Sequence, residues 1–246
     1  MITTTLTGIV LTAMPIGEYD KRLVILTKER GKITAFAKGA RKPSSAFLAC
    51  SQPFSFGDFT LYEGRTSYNV MSVEVLNYFG ELRSDMEACY YGMYFLEFSD
   101  YFTRENEDST RVLKLLYQSL RALTKGAITK KLIRRIFELR MLELNGWAPQ
   151  VFECVKCNSE TGLDYFQTEA GGIVCSTCRK QMNRVIPISG GTIYTLQYIL
   201  TSSIEKLYTF TITNEIMNEL DKCIEDYRKA YIDKKMKSLD LLEKLF

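Results

Sequence analysis

Histidine is absent from this chain of 246 residues. A Ser-His-Asp or Cys-His nucleophile and a histidine-ligated catalytic zinc ion therefore cannot be built. The sequence also lacks the phosphate-binding patterns G-x-x-x-x-G-K-[ST] and G-x-G-x-x-G. ATP-driven chemistry is accordingly not expected, and we predict that the chain is not an enzyme.

Long apolar runs are absent as well. No apolar stretch of about 18 residues, the least that spans a membrane, occurs in the sequence. The first residues, Met-Ile-Thr-Thr-Thr, lack the basic and apolar regions of a secretion signal. Hydrophobic residues make up 46% of the chain and charged residues 25%, which is typical of globular proteins. We therefore expect a cytoplasmic protein without a membrane partner.

Cysteine, by contrast, follows a clear pattern. Four of the 7 cysteines form two C-x-x-C pairs, Cys154 with Cys157 and Cys175 with Cys178. Two such pairs can surround one zinc ion with four thiolates in a tetrahedron. Four thiolates leave no position for a reacting water molecule, so we predict one structural Zn²⁺ per chain, in a module at about 151–185.

Three other uses of these cysteines stay open. Disulfides or a redox dithiol suit the spacing, but the missing secretion signal and the missing βαβ pattern count against them. An iron–sulfur cluster also uses four thiolates. A zinc deaminase needs a C-x-E motif before its cysteine pair, and the C-x-E at Cys223-Ile224-Glu225 follows both pairs.

Charge is unevenly distributed along the chain, although the net charge is only +3. Residues 21–42 carry eight basic side chains and one acid, whereas residues 81–108 carry eight acids and two arginines. Residues 121–140 are basic again. Two basic segments are thus separated by an acidic one, which favours an anionic partner for the basic segments.

The first 79 residues show the alternation of β-strands. Segments 3–14, 21–27, 31–38, 54–62 and 67–76 are rich in Val, Ile, Thr, Phe and Tyr and are separated by Gly, Pro and Ser. Their links are short, except around 40–53. This pattern predicts a small antiparallel barrel of five strands in a domain spanning 1–79.

Helical periodicity follows in residues 80–246, which we predict to form a second domain. Apolar residues recur every three or four positions in 82–103, 109–125 and 129–145. Thr129 is placed to cap the third of these helices, and Asn145-Gly146 to end it. Ser189-Gly190-Gly191 is predicted to open a further helix after the cysteine module, and 213–233 to form the final one.

One face of the third strand suits nucleic acid. Ile33, Ala35 and Ala37 are predicted to face the core, and Lys32 and Phe36 to face outward with Thr34 and Lys38. Cations that neutralise phosphates beside an exposed aromatic ring are how small barrels bind single strands. A solvated basic face is the alternative, and a register shift of one residue would bury Phe36. The candidate residues are Lys21, Arg22, Lys28, Arg30, Lys32, Phe36, Lys38, Gly39, Arg41 and Lys42.

The second basic segment, 130–135, places cations beside an apolar stripe. Arg134 and Arg135 suit phosphates, or an acidic peptide whose apolar residues enter a groove. Basic side chains that cover an amphipathic helix are an equally good interpretation.

Several short motifs, taken together, resemble one bacterial family. They are Pro-Ile-Gly-Glu at 15–18, Thr-Lys-Glu-Arg-Gly-Lys at 27–32, Ala-Lys-Gly-Ala-Arg-Lys at 37–42, Gln-Pro-Phe at 52–54, Phe-Glu-Leu at 137–139, and the cysteine pairs with Gly172 before Cys175. In this order and over residues 1–200, the sequence resembles the RecO family.

The resemblance implies an α+β fold, with an N-terminal five-stranded oligonucleotide-binding (OB) barrel and an α-helical domain into which the four-cysteine zinc module is inserted. It also implies a recombination mediator, associated with the nucleoid, that binds single- and double-stranded DNA and anneals complementary strands. Partners implied in this way are RecR, the acidic C-terminal tail of single-strand-binding protein (SSB), and indirectly RecA, which is loaded onto SSB-coated DNA.

Residue roles follow from the same resemblance. Lys38, Gly39, Arg41 and Lys42 match the family's basic turn and are expected to contact DNA. Arg135, together with Arg134, is expected to receive the SSB tail. Rival hypotheses are a zinc-ribbon RNA-binding or translation-associated factor, a carboxylate-dependent nuclease and a scaffold that binds only proteins.

Overall fold

A computed structural model describes residues 3–65 and 67–246. The chain forms two compact units. The barrel unit runs to Thr124 and is completed by Met236–Phe246, and the helical unit is Lys125–Lys235. The division into domains at residue 79 stays a prediction, since the first two long helices belong to the same compact unit as the barrel.

Five strands close into a barrel in the order β1-β2-β3-β5-β4, and β4 pairs with β1. Their bounds are β1 Thr3–Ile16, β2 Asp20–Thr27, β3 Gly31–Ala37, β4 Phe56–Glu63 and β5 Tyr68–Asn77. The predicted five-stranded barrel is therefore confirmed. Its predicted antiparallel pairing is wrong at one seam, where β3 and β5 pair in parallel at Ala35–Tyr68 and Phe36–Asn69. There the chain leaves β3, forms β4 against β1, and returns as β5 on the far side of β3.

Burial alternates along β3 as the sequence predicts. Ile33, Ala35 and Ala37 are buried in the barrel, whereas Lys32 and Phe36 are half-buried on its outer face. The register places Arg22 opposite Phe36, so the shift that would have buried Phe36 does not occur. The barrel core consists of Leu6, Val10, Leu23, Ile25, Ile33, Ala35, Ala37, Ala40, Phe59, Leu61, Tyr68 and Val70.

Two glycines allow the barrel strands to cross closely. Gly8 of β1 lies opposite Gly57 of β4. A Cβ atom on Gly57 would lie 2.2 Å from the carbonyl oxygen of Glu74, and one on Gly8 would lie 2.5 Å from that of Leu26. Any side chain at either position would push the strands apart, so these glycines permit the tight closure.

Helices cover one side of the barrel. The short α1 (Phe47–Cys50) connects β3 to β4, and α2 (Met86–Phe102) and α3 (Thr110–Lys125) follow β5. Tyr117 of α3 packs against Phe56 of β4 with ring centroids 4.6 Å apart. The last helix, α7 (Lys237–Leu245), packs on α2, where Glu97 accepts hydrogen bonds from the amides of Lys237 and Ser238 at 3.0 and 2.8 Å.

The helical unit is built from α4 (Lys130–Leu144), α5 (Gly190–Thr201) and α6 (Asn214–Tyr231). Each begins with a hydroxyl cap: Thr129, as predicted, and also Ser189 and Thr213 accept hydrogen bonds from backbone amides in the first turn. The left-handed Gly146 (φ +83°) ends α4, as predicted. In the part of the chain that the structure describes, no helix is long and apolar enough to cross a membrane.

The cysteine module lies between α4 and α5 in the chain, which confirms the predicted insertion. It contains a three-stranded sheet in the order β7-β6-β8. The strands are β6 Leu163–Gln167, β7 Gly172–Cys175 and β8 Ile186–Pro187.

Candidate metal centre and nucleic-acid interface

Two turns and a hairpin bring the four cysteines together. In the first turn the amide of Asn158 donates to the carbonyl oxygen of Cys154 at 2.9 Å, and Asn158 adopts a left-handed φ of +57°. In the second, the amide of Cys178 donates to Sγ of Cys175 at 3.5 Å. A further bond, from the amide of Val155 to the carbonyl oxygen of Ile173 (2.9 Å), joins the first turn to β7.

The four Sγ atoms lie within 4.8 Å of one another. A tetrahedral zinc ion with Zn–S bonds of about 2.3 Å keeps its ligands about 3.8 Å apart. Sγ of Cys157 and Sγ of Cys175 are 3.7 Å apart. The arrangement therefore fits one tetrahedral metal ion held by Cys154, Cys157, Cys175 and Cys178.

The protonation of these thiols also favours a cation. Burial opposes ionisation of Cys154, but amide donors from Cys175, Lys156 and Cys157 lower its pKa to about 6. At the other side of the cluster, hydrogen bonding with the thiols of Cys157 and Cys175 raises the pKa of Cys178 to about 12. Four thiolates this close together repel one another, and a divalent cation would stabilise the whole set.

The module is fastened to the rest of the helical unit. Phe166 of β6 is buried against the ring of Tyr227 on α6, with centroids 5.7 Å apart. Gln197 of α5 donates to the carbonyl oxygen of Val151 at 2.7 Å. Both contacts join the module to helices of the same unit. A metal ion in this site would therefore stabilise the module and, through these contacts, its packing on α5 and α6.

In the barrel unit, a basic turn and a loop meet where β3 ends. The amide of Gly39, which has a φ of +65°, donates to the carboxylate of Asp20 at 2.7 Å. The amide of Arg41 donates to the carbonyl oxygen of Tyr19 at 2.8 Å, and its guanidinium to that of Glu18 at 3.1 Å. Lys38, Arg41 and Lys42 are exposed at this place. We call the surface formed by residues 17–20 and 38–42 the loop end.

Tyr19 is a member of the loop end that the sequence analysis missed. Its side chain is 44% exposed, and Nζ of Lys42 lies 5.3 Å from its ring centroid. The sequence signal was an aromatic residue directly after the Pro-Ile-Gly-Glu motif. Its relevance depends on the contact with residues 38–42, which no local pattern predicts.

Arg22 and Phe36 lie on the outer barrel face next to the loop end. They are register partners on β2 and β3, and Arg22 also lies opposite Met14 of β1, which is 49% exposed. Among the described residues, no ion pair joins a carboxylate to Arg22, Lys38, Arg41 or Lys42. The ring of Phe36 and these four cations can therefore contact a ligand along this end of the barrel.

Three predicted cations lie at the opposite end of the β2–β3 hairpin, and each has an acidic partner. Lys28 pairs with Glu29 at 3.8 Å and Arg30 with Glu63 at 4.0 Å. Nζ of Lys32 lies 3.1 Å from the carboxylate of Asp100 and donates to the carbonyl oxygen of that residue at 2.6 Å. We call Lys28, Arg30 and Lys32 the hairpin end. The basic run of the sequence is thus two separate groups.

Lys21 belongs to neither group, because its side chain is buried. Its ammonium donates to the hydroxyl and the carbonyl oxygen of Ser51 at 3.0 and 3.1 Å, and burial lowers its pKa. The geometry gives Lys21 a role in joining β2 to the end of α1, and does not favour the DNA contact predicted for it.

Arg134 and Arg135 are likewise buried, between α4 and α6. Arg134 donates to Glu138 at 2.9 Å and to Glu225 at 3.1 Å. Arg135 donates to Glu138, Asp221 and Glu225 at 2.6, 2.8 and 2.7 Å. The two arginines are 6% and 3% exposed as residues, and their guanidinium groups already bind internal carboxylates. The predicted contact with the SSB tail would require this network to open, so the geometry does not favour it.

Comparison with known proteins gives one family that spans both units of the fold. The family model described as Recombination protein O N terminal matches residues 1–79, and the one described as Recombination protein O C terminal matches residues 83–240. A protein of Acetivibrio thermocellus named DNA repair protein RecO is 34% identical over 97% of this chain and 95% of its own length. Its namesake from Alkaliphilus metalliredigens is also 34% identical, over 97% of this chain and 98% of its own.

A third relative, named DNA repair protein RecO in Thermoanaerobacter sp., is 30% identical over 97% of this chain and 96% of its own. The matches thus extend through the barrel, the cysteine module and the helices on either side of it. This chain belongs to the RecO family of DNA repair proteins.

Proposed function

We propose that this protein binds single- and double-stranded DNA at the loop end of its barrel and anneals complementary strands, without itself catalysing a reaction. The observation that carries the proposal is a turn that exposes Lys38, Arg41 and Lys42, is hydrogen-bonded to residues 18–20, and places Lys42 beside the exposed ring of Tyr19. Unpaired cations bind backbone phosphates, and an exposed ring stacks on bases of any sequence.

Annealing follows from charge neutralisation. Two complementary strands repel each other through their phosphates, and cations held on a rigid barrel lower that repulsion when both strands are bound. The loop end is held rigidly because Gly39 and Arg41 are hydrogen-bonded to residues 18–20. We propose that the four cysteines hold one structural Zn²⁺ in the helical unit, which stabilises the fold and does not act on DNA.

The proposed partners follow the family. RecR would join the protein on DNA, and the acidic tail of SSB would bring it to coated single strands, where RecA is loaded. Docking to such a tail raises the local concentration of the protein without new contacts to DNA. The protein would then act in the cytoplasm, at the nucleoid.

The triple substitution Lys38→Ala, Arg41→Ala, Lys42→Ala tests the DNA surface. If three phosphate contacts are lost, the slope of log affinity against log salt for single-stranded DNA should become shallower by about 2. Fluorescence anisotropy with a labelled oligonucleotide, at several salt concentrations, measures that slope. The matched control is Lys206→Ala, Lys222→Ala, Lys244→Ala, which removes the same charge from exposed lysines elsewhere.

The control variant should keep the slope of the unaltered protein. Equal slopes for the two triple variants would mean that total charge and not the loop end governs binding, and the proposal would fail. Competition between single-stranded DNA and RNA of the same sequence tests the rival hypothesis of an RNA-binding factor, which predicts a preference for RNA.

Annealing requires its own experiment. Complementary fluorescent strands coated with SSB should form duplex faster when the protein is present, and the acceleration should depend on the acidic tail of SSB. The loop-end triple variant should lose the acceleration while keeping its fold, as measured by circular dichroism. Binding without any acceleration would leave DNA binding intact and exclude annealing.

A further inference from the structure

The last residues of α2 and the acidic segment that follows them, up to α3, lie along the hairpin end of the barrel. The amide of Lys32 donates to the carbonyl oxygen of Arg104 at 3.0 Å, and that of Asn106 donates to the carbonyl oxygen of Arg30 at 2.9 Å. The amide of Ser109 donates to the carbonyl oxygen of Lys28 at 3.0 Å. We call residues 100–109 the acidic connection; its acids are Asp100, Glu105, Glu107 and Asp108.

The acidic connection approaches the β2–β3 hairpin so closely that only glycine fits at position 31. Gly31 has a φ of +61°, and a Cβ atom there would lie 2.1 Å from the carbonyl oxygen of Arg104. The connection therefore contacts the hairpin through backbone atoms along its length, and Asp100 places its carboxylate beside Lys32.

Asp100 supplies the ammonium of Lys32 with two oxygen partners. Its carboxylate is 3.1 Å from Nζ of Lys32, and its carbonyl oxygen accepts a hydrogen bond from the same ammonium. Lys32, Arg22 and Arg104 line one groove on the outer barrel face, together with Asp100 and Glu105. A strand that extended from the loop end past Arg22 toward Lys32 would thus enter a groove that also holds two carboxylates.

We propose that the acidic connection confines DNA to the loop end and the adjacent Arg22, and that Asp100 does so at Lys32 by taking the place of a phosphate. This inference rests on the proposed function. It makes Asp100 a residue that sets the length of the DNA footprint, and the hairpin end a surface that is basic in sequence and closed to DNA in the folded protein.

The first test compares two single substitutions, each of which removes one cation from the otherwise unaltered protein. Arg22→Ala should weaken single-stranded DNA binding and make the salt slope shallower by about 0.7, as expected for one phosphate contact. Lys32→Ala should leave both the affinity and the slope unchanged, because its ammonium is already neutralised. A loss of slope for Lys32→Ala equal to that for Arg22→Ala would overturn the inference.

The second test removes the carboxylate. Asp100→Asn should release Lys32, raise affinity roughly threefold near 0.1 M salt and make the slope steeper by about 0.7. Adding Lys32→Ala to Asp100→Asn should cancel both gains, since the effect passes through this lysine. The charge-preserving Asp100→Glu is the control and should bind as the unaltered protein does.

The outcomes separate this inference from the proposed function. If the unaltered protein binds DNA and loses binding with the loop-end triple variant, the proposed DNA-binding surface stands. Should Asp100→Asn then leave affinity and slope unchanged, or should its gain survive Lys32→Ala, the inference about Asp100 fails alone. Should the loop-end variant bind normally, the proposed function fails.

Discussion

Cys175→Ser is expected to abolish metal binding and to unfold the cysteine module. The thiolate it removes is one of four whose Sγ atoms lie within 4.8 Å of one another, and three ligands cannot complete a closed tetrahedral site. Loss of a structural metal is among the few single changes that cost about 4 kcal/mol or more. The helical unit should be destabilised because Phe166 and Val151 join the module to α6 and α5.

Elemental analysis of the purified protein measures the first part of this prediction, with one zinc per chain expected before the substitution and none after it. Thermal unfolding measures the second. Cys89→Ser is the matched control, because Cys89 is outside the cluster and has no role in the proposed site. Zinc content that persists in Cys175→Ser would contradict the assignment, and a brown, iron-containing protein would favour the iron–sulfur alternative.

The barrel could be predicted from sequence because the residue pattern that specifies each strand lies within that strand. Strand β3 alternates buried and half-buried residues, and a register fixed by that alternation places Ile33 inward and Phe36 outward. The parallel seam between β3 and β5 could not be predicted in this way, since alternation specifies which face a residue occupies and not which strand lies beside it. The cysteine cluster was predictable because each C-x-x-C pair makes its own turn.

The helix α7 shows a second limit of sequence reasoning. We expected the helix at 213–233 to be the last, but Lys237–Leu245 forms another one. A helix of 9 residues is marginal alone. Its first amides are capped by Glu97, which lies about 140 positions earlier in the chain. No pattern within residues 237–245 records that contact.

Charge was the least predictable property of the candidate sites. The sequence supplies a run of basic residues, but it does not say which of them meet an acid in space. Lys32 meets Asp100, Arg30 meets Glu63, and Arg135 meets Glu138 and two acids of α6. Where the partner is distant in sequence, a cation that looks available for a ligand is already bound.

Glu138→Ala is expected to destabilise the helical unit by about 3–5 kcal/mol, because it would remove the fully buried carboxylate that Arg134 and Arg135 share and leave them with the partly exposed acids of α6. Glu138 is fully buried, and its two carboxylate oxygens lie 2.9 Å from Nε of Arg134 and 2.6 Å from Nη1 of Arg135. Nε of Arg228 lies 3.7 Å from the same carboxylate. Urea unfolding measures the loss, and Glu160→Ala, an exposed acid of the same unit, should cost less than about 0.5 kcal/mol.

Lowering the pH below 4.5 should weaken the same network, because it protonates Glu225. Burial by itself would raise the pKa of Glu225, but the hydrogen bond from Arg228 and the charges of Arg135 and Arg228 lower it from 4.5 to about 2. A carboxylate with a lowered pKa stabilises the fold above the pKa of the unfolded state, and that contribution falls as pH drops from 4.5 toward 2. Glu225→Gln should therefore flatten the pH dependence of unfolding in this window. Either of two results would show that the buried ion pairs do not stabilise the packing of α4 on α6. One is that Glu138→Ala and the exposed control unfold at the same urea concentration. The other is that Glu225→Gln leaves the pH dependence of unfolding unchanged.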